Sequence, residues 1–382
     1  MIDEKSYERI TSELRERIRA DRQILDRLRE DVRTYLKDVR RIQPRSVTAI
    51  SLVGTDGGNN RVQFDPFLAQ VVRVVDSANN EYCLDIVTPS SDRRAVGDRH
   101  LKERTPLGRM MEWLGVETLW DLSSMIPRPE KEPKPSWVQV YRELTEWAVL
   151  LCLVREKDFG TDTVVVCDGF LRSKVFARHK ERDLFPVYRE RLEEGIRNQR
   201  DKNRRQLYVV GVAKHSKVLQ QYRLAMAIEG ILRTDYPAYV EIDRRLEEKV
   251  YKWSEYARGD EREGEGGEIN KFVAGKMFFV KFGSKPRDPI WPVDLLISQV
   301  GDHSKIMGYL LADSIEGFPV PFYPLCLQRA HDNASLVDFD MDILQDGIVG
   351  SIREVLGVKG DIIDELLLLD EDPSQRRYMG RG

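Results

Sequence analysis

The stretch TDTVVVCDGFL, residues 161–171, constrains this fold more than any other part of the chain. Its β-branched core is continuous rather than alternating, which suits a central strand covered on both faces, and it ends in Asp168-Gly169. Helices flank it in sequence. WVQVYRELTEWAVLLCLVRE carries Val140, Leu144, Trp147 and Leu151 at helical spacing and is apolar on most faces later on, so it reads as a largely buried helix. LFPVYRERLEEGIRNQRDKNRR is an amphipathic helix, and QLYVVGVAKHSK is a second buried strand leading into a basic turn. Residues 215–250 read as mostly helical.

Upstream, SVTAISLVGTD, RVQFDPFLAQVVRVVDS (with a proline-marked bulge) and NEYCLDIVTP read as three strands. The turn signals DGGNN and DSANN make them an antiparallel meander. Downstream, KFVAGKMFFVKFG and PIWPVDLLIS are late strands. FPVPFYPLCLQRAHDNASLVD begins with prolines and becomes a helix, and DIIDELLLLDEDPSQRRYMGRG is a short helix with a frayed tail. Residues 4–42 read as one long charged helix. Leu14, Ile18, Leu25, Leu28, Val32 and Val39 fall on a 4-3 spacing with Asp21 and Tyr35 in the remaining seam positions. Such a narrow stripe fits a coiled coil or docking helix, paired with a second copy or a partner, or packed back on its own domain.

With 382 residues the chain is one large α/β domain with insertions, or two domains. The division that follows from the pattern is an N-terminal helix at 1–43, a main domain at 44–345, and a C-terminal helix and tail at 346–382. Insertions fall near 91–135, which is polar and closes on the proline-rich IPRPEKEPKPS, and near 254–270, which is rich in Gly and Glu. The 61 basic and 64 acidic residues leave a net charge of −3, so a nucleic-acid surface has to be a local patch. Cys83, Cys152, Cys167 and Cys326 are scattered without a CxxC pair, as expected of reduced thiols in a cytoplasmic protein. The charged N-terminus and the lack of any apolar run near ~20 residues argue against a secretory signal and a membrane span. Neither GxxxxGK[ST] nor GxGxxG occurs, so energy-coupled work would need a partner, and no GxSxG points to acyl transfer.

The element order is a strand with Asp56, two more strands, a buried helix, and a strand with Asp168. That is the topology of the ribonuclease-H-like nucleases, an α/β mixed sheet flanked by helices. There the first strand, a helix and the fourth strand bring acidic side chains to one end of the sheet. Phosphodiester cleavage needs divalent ions held by oxygen ligands with open positions for phosphate and water, and carboxylates from three elements supply that charge. Glu143 and Glu146 are both candidates on the helix. Glu146, immediately before the most apolar segment, is the costlier to leave unpaired and is the preferred one. Taken singly, Asp56-Gly57-Gly58 and Asp168-Gly169 suit ordinary turns; their joint placement is what points to a metal.

Several segments also resemble the NurA nuclease family. GFPVPFYPLCLQRAH is similar to its closing motif, a Gly/Pro-rich lead, a Tyr-Pro step and a helix carrying His, here Tyr323 and His331. VGTDGG, VVVCDGFL and VVGVAKHSK are similar to its earlier motifs, and together the pieces span residues 45–340. The resemblance implies a Mn²⁺- or Mg²⁺-dependent DNA nuclease of end processing, acting as a homodimer beside the hexameric ATPase HerA. It implies Asp56, Glu146, Asp168 and His331 as ligands, with Tyr323 at the scissile phosphate. Lys214, Arg172 and Lys174 are candidates for backbone phosphate contact. His100, His179 and His303 read as surface residues. The alternatives are a catalytically inactive scaffold or DNA-binding subunit of an ATPase complex, and a ribonuclease of the same fold.

Overall fold

The computed structural model describes residues 3–357 apart from 65–66, 133, 177, 180–181, 252–271 and 337. The insertion expected at 254–270 and the tail beyond 357 lie outside the described residues.

The N-terminal stripe folds as two helices rather than one. α1 (Glu4–Ala20) starts at Asp3, whose carboxylate accepts the Ser6 N–H, and ends at Asp21, from which α2 (Arg22–Arg33) begins. A 3₁₀ turn over Thr34–Asp38 then leads into a two-residue strand, β1 (Arg40–Arg41). An aspartate at a seam position cannot be buried cheaply, and the break falls there. The two halves meet different fates. Leu25, Leu28 and Val32 of α2 pack with Tyr222 and Met226 of the chain's own main body, and Arg29 and Arg33 both pair with Glu229. No residue of α1 is buried.

β2 (Ser51–Phe64), β3 (Phe67–Asp76) and β4 (Glu81–Val87) form the expected antiparallel meander. The turn expected at DGGNN is absent. β2 runs straight through it, Asp56 pairing with Val75 and Asn60 with Val71, and the pairing continues as far as Phe64 with Phe67. Cross-strand pairing with the valine-rich β3 outweighs the turn preference of Asp, Gly and Asn. The β3–β4 turn is where DSANN puts it, with Asp76 accepting the N–H groups of Ala78 and Asn80.

The 91–135 insertion folds into α3 (Arg93–Glu103), α4 (Pro106–Leu114) and α5 (Leu119–Leu122), which pack on α6 (Trp137–Glu156). His100 is consequently not on the surface. It is 2% exposed, with Nε2 2.6 Å from the Tyr141 hydroxyl of α6 and Nδ1 2.7 Å from Thr105 Oγ1. After α6 come β5 (Thr163–Asp168), the small hairpin β6 (Arg178–His179) and β7 (Arg182–Asp183), α7 (Leu184–Asn203), β8 (Leu207–Val212) and α8 (Lys217–Ile228). The stretch read as mostly helical also contains a strand, β9 (Ala238–Glu241), before α9 (Arg244–Val250). β10 (Gly275–Lys281), β11 (Ile290–Leu296), α10 (His303–Ile315), α11 (Leu325–Ala334) and α12 (Asp338–Leu356) complete the described chain. The C-terminal helix read at DIIDELLLLDEDPSQRRYMGRG lies outside the described residues. His303, too, is half-buried, between Arg40 and Tyr239.

Nine strands make one mixed sheet in the order β1-β9-β10-β11-β8-β5-β2-β3-β4. β5 lies parallel to both β2 and β8, and the other neighbours are antiparallel. Alternation along β5 shows both faces covered: Val165 joins the core under α4, α6 and α7, while Val164 and Val166 join Leu310 and Leu327 under α10 and α11. The mixed α/β class read from the sequence is the one observed.

Candidate active site

Period-two alternation puts Leu52, Asp56 and, on the neighbouring strand, Val164, Val166 and Asp168 on the α11 face of the sheet. α11 lies directly on β2, because Gly54 has no side chain: a Cβ there would sit 2.3 Å from the Cys326 carbonyl oxygen. That close approach delivers His331, two turns along α11, to Asp56, with Nδ1 2.7 Å from Oδ2. Tyr323, just before α11, donates its hydroxyl to Asp168 Oδ1 at 3.2 Å, and Lys214 donates to Asp168 Oδ2 at 2.8 Å.

Glu146 comes from α6 on the opposite face of the sheet. It reaches the same end of β2 over Gly57, where a Cβ would lie 2.1 Å from its Oε1. Arg142, one turn earlier on α6, stands 3.2 Å from that oxygen. Glu143 accepts instead from the Ser173 hydroxyl, at 2.6 Å. Thr55, Asp56, Arg142, Glu143, Glu146 and Asp168 all line one cleft of about 230 Å³.

The cleft is electrostatically frustrated. Burial pushes the Asp56 carboxyl above its usual range, and the nearby Asp168 charge adds to the rise against the hydrogen bond from His331. Glu146 is pushed up to about 8, by burial first; Arg142 opposes the rise, and Asp56, Glu143 and Asp168 reinforce it. Its side chain keeps 30% of its surface open, so water in the cleft softens the burial part, while the repulsion among carboxylates stands. The Tyr323 phenol is raised far above neutrality by burial and by Asp168, so it remains a neutral hydrogen-bond donor.

Each carboxylate is occupied by its own partner: Asp56 by His331, Glu146 by Arg142, and Asp168 by Lys214 and Tyr323. Accordingly, among the described residues, no three His, Cys, Asp or Glu side chains stand close enough together to hold a cation as arranged. Lys214 and Arg142 keep 41% and 36% of their side chains exposed, so each can withdraw in favour of an ion, and the His331 side chain, 56% exposed, can turn from Asp56 towards it. Three mutually repelling carboxylates with an imidazole beside them are a donor set suited to a hard or borderline divalent ion such as Mn²⁺ or Mg²⁺. The residues fit the group.

Of the other sequence candidates, Lys214 is at the cleft and exposed. Arg172 is not free for DNA. Its side chain is 3% exposed and is committed to Asp294, at 2.8 Å, and to Glu247, both fully buried. Two buried acids facing the segment after β5 draw the guanidinium inward, and their long-range placement has no local trace in the sequence. Lys174, half-buried two residues on, does not line the cleft. Arg142 escaped the sequence reading, although its i,i+4 spacing to Glu146 was a signal for it.

No family model and no curated protein matches the chain. Among solved structures, the chain is similar to the NurA nuclease from Sulfolobus solfataricus, at a TM-score of 0.44 and 13% identity over 91% of this chain and 97% of that one. It is also similar to a NurA with manganese (TM-score 0.38, 11% identity, 92% and 98% covered). A third is a NurA bound to dAMP and manganese (TM-score 0.35, 11% identity, 88% and 94% covered). At those TM-scores and identities the chemistry has to be read from the side chains themselves.

Proposed function

We propose that this protein is a divalent-metal-dependent deoxyribonuclease. The observation that carries the reading is the convergence of Asp56, Glu146 and Asp168, from three separated segments and both faces of the sheet, on one cleft where burial and the neighbouring carboxylates raise Asp56 and Glu146. The strand order β4-β3-β2-β5-β8, with a meander followed by two parallel strands, is also the one expected of a ribonuclease-H-like core.

Asp56, Glu146, Asp168 and His331 would hold Mn²⁺ or Mg²⁺. When bound, such an ion supplies Lewis-acid polarisation of the phosphate and an acidified water. Tyr323 stays protonated and orients by donating its hydrogen bond. Lys214 and Arg142, released from Asp168 and Glu146, offer positive charge to the phosphate oxygens of the strand. Action at DNA ends as a homodimer beside a HerA-type hexameric ATPase, in the cytoplasm, belongs to the same proposal. It is supported by the motif resemblance and by the lack of a phosphate-loop motif in the chain. Among the described residues no helix is long and apolar enough to cross a membrane.

Labelled DNA incubated with Mn²⁺ tests the reading: the wild-type protein cleaves it and Asp56→Ala does not. Undiminished cleavage by the variant would end the proposal. A non-catalytic DNA-binding scaffold is favoured by one observation, the separate partner that each carboxylate already has. Calorimetric titration with Mn²⁺ separates the two, since a scaffold gives no binding heat.

A further inference from the structure

The loop between α10 and α11 exposes Phe318 at 78% and Val320 at 42%, and Ile315, the last residue of α10, is 57% exposed just before it. Burying a phenyl ring is favourable, so leaving Phe318 in water needs a reason. The loop is also held rigidly. Gln328, 5% exposed, accepts the Val320 N–H at 2.8 Å and donates to the carbonyls of Val320 at 3.0 Å and Tyr323 at 2.9 Å. Phe322 is fixed in the left-handed region at φ 57°, which a non-glycine residue adopts only when its surroundings impose it.

The rigidity joins the exposed side chains to the cleft. Tyr323, on the same clamp, donates to Asp168, and His331, one turn beyond Gln328 on α11, meets Asp56. We propose that Phe318, with Val320 beside it, is a stacking platform for a nucleobase of the DNA strand whose phosphate enters this cleft. The inference rests on the nuclease reading. A planar base presents a π-face that a phenyl ring accepts whatever the sequence. Bases in a duplex are already stacked, so the substrate class is a single-stranded or frayed end. Two side chains on one loop and one at the end of α10 also fall far short of the roughly 800 Å² per side of a stable protein interface.

The test compares two single-stranded oligonucleotides in Mn²⁺, one intact and one with abasic terminal nucleotides. The wild-type kcat/KM should favour the intact strand. That preference should fall about tenfold in Phe318→Ala and be kept in Phe318→Trp. An equal preference in wild-type and Phe318→Ala proteins overturns the inference. Quenching of a 2-aminopurine oligonucleotide by stacking gives a readout independent of cleavage. Phe318-dependent quenching without any cleavage would keep the platform and remove the nuclease reading. Quenching that ignores Phe318 would remove the platform, whatever the activity.

Discussion

Gly57→Ala is the most diagnostic single perturbation, because it moves Glu146 without touching it. β2 is extended at this position, so alanine is sterically allowed on the strand itself and removes some of the conformational freedom of the unfolded chain. The new Cβ would stand 2.1 Å from Glu146 Oε1 and 2.7 Å from its Cδ and Cγ. Non-bonded heavy atoms settle near ~3.5 Å, so the carboxylate must retreat by more than about 1 Å. The side chain is flexible and 30% exposed, so it can swing away, and the melting temperature should change little. A misplacement of about 1 Å in a reacting constellation costs on the order of 100-fold in rate. Cleavage of labelled DNA in Mn²⁺ should fall by about that factor, with weaker Mn²⁺ binding in calorimetry. Adding Gly57→Ala to Glu146→Ala should cost nothing more, because the glycine acts only through the glutamate. Full activity in Gly57→Ala, or an additive loss in the double variant, would refute this account.

Cation loading should depend on pH. With the Glu146 carboxyl pushed up to about 8, binding at pH 7 displaces its proton, so Mn²⁺ affinity should weaken as pH falls below about 8, by up to ~10-fold per pH unit. Titrations in buffers of different ionisation enthalpy will show proton release if that is right, and none if Glu146 is not a ligand. Asp76 predicts a stability effect in a more acidic window. Burial raises its carboxyl, but hydrogen bonds from Asn80 and Tyr82 and the Lys157 ammonium outweigh burial and hold it below the usual range. Its stabilisation is therefore present above about pH 4 and lost as pH falls from there through the depressed value. Asp76→Asn should lower unfolding free energy by about 3 kcal/mol at pH 7. The difference from wild type should shrink on acidification, and denaturant melts at pH 7 and pH 3 will check it. Arg172→Met leaves Asp294 buried without its guanidinium and Glu247 with Arg244 alone, and should cost about 3–5 kcal/mol in chemical denaturation. A variant as stable as wild type, with weakened DNA binding, would restore Arg172 to the substrate path.

Local chemistry along the chain was enough for the parts whose structure is locally decided. The valine run at 164–166 could only be covered on both faces, and it is. The 3.6-residue periodicity marked α6, α7 and α11, and the Asp76 turn formed where its asparagines and serine put it. Asp56 and Asp168 were legible because each stands at a strong strand signal, whereas Tyr323 and His331 were singled out only by the motif resemblance. Where two weak preferences competed, distant neighbours chose. DGGNN has turn residues, yet pairing with Val71–Val75 on β3 drew it into a strand. The N-terminal stripe repeats evenly, yet only its second half found an apolar surface on α8.

The amino-acid sequence by itself determined the central strands and the helices beside them, and which residues carry charge at their ends, since those follow from spacing and side-chain chemistry within a few residues. Tertiary structure alone decided that Glu146 crosses Gly57 to meet carboxylates from the other face, that Arg172 is spent on Asp294 and Glu247, and that His100 is buried against Tyr141. Those outcomes depend on contacts between residues 41 to 122 positions apart, or on opposite faces of one sheet, and the energy of a charge or a clash depends on what arrives beside it.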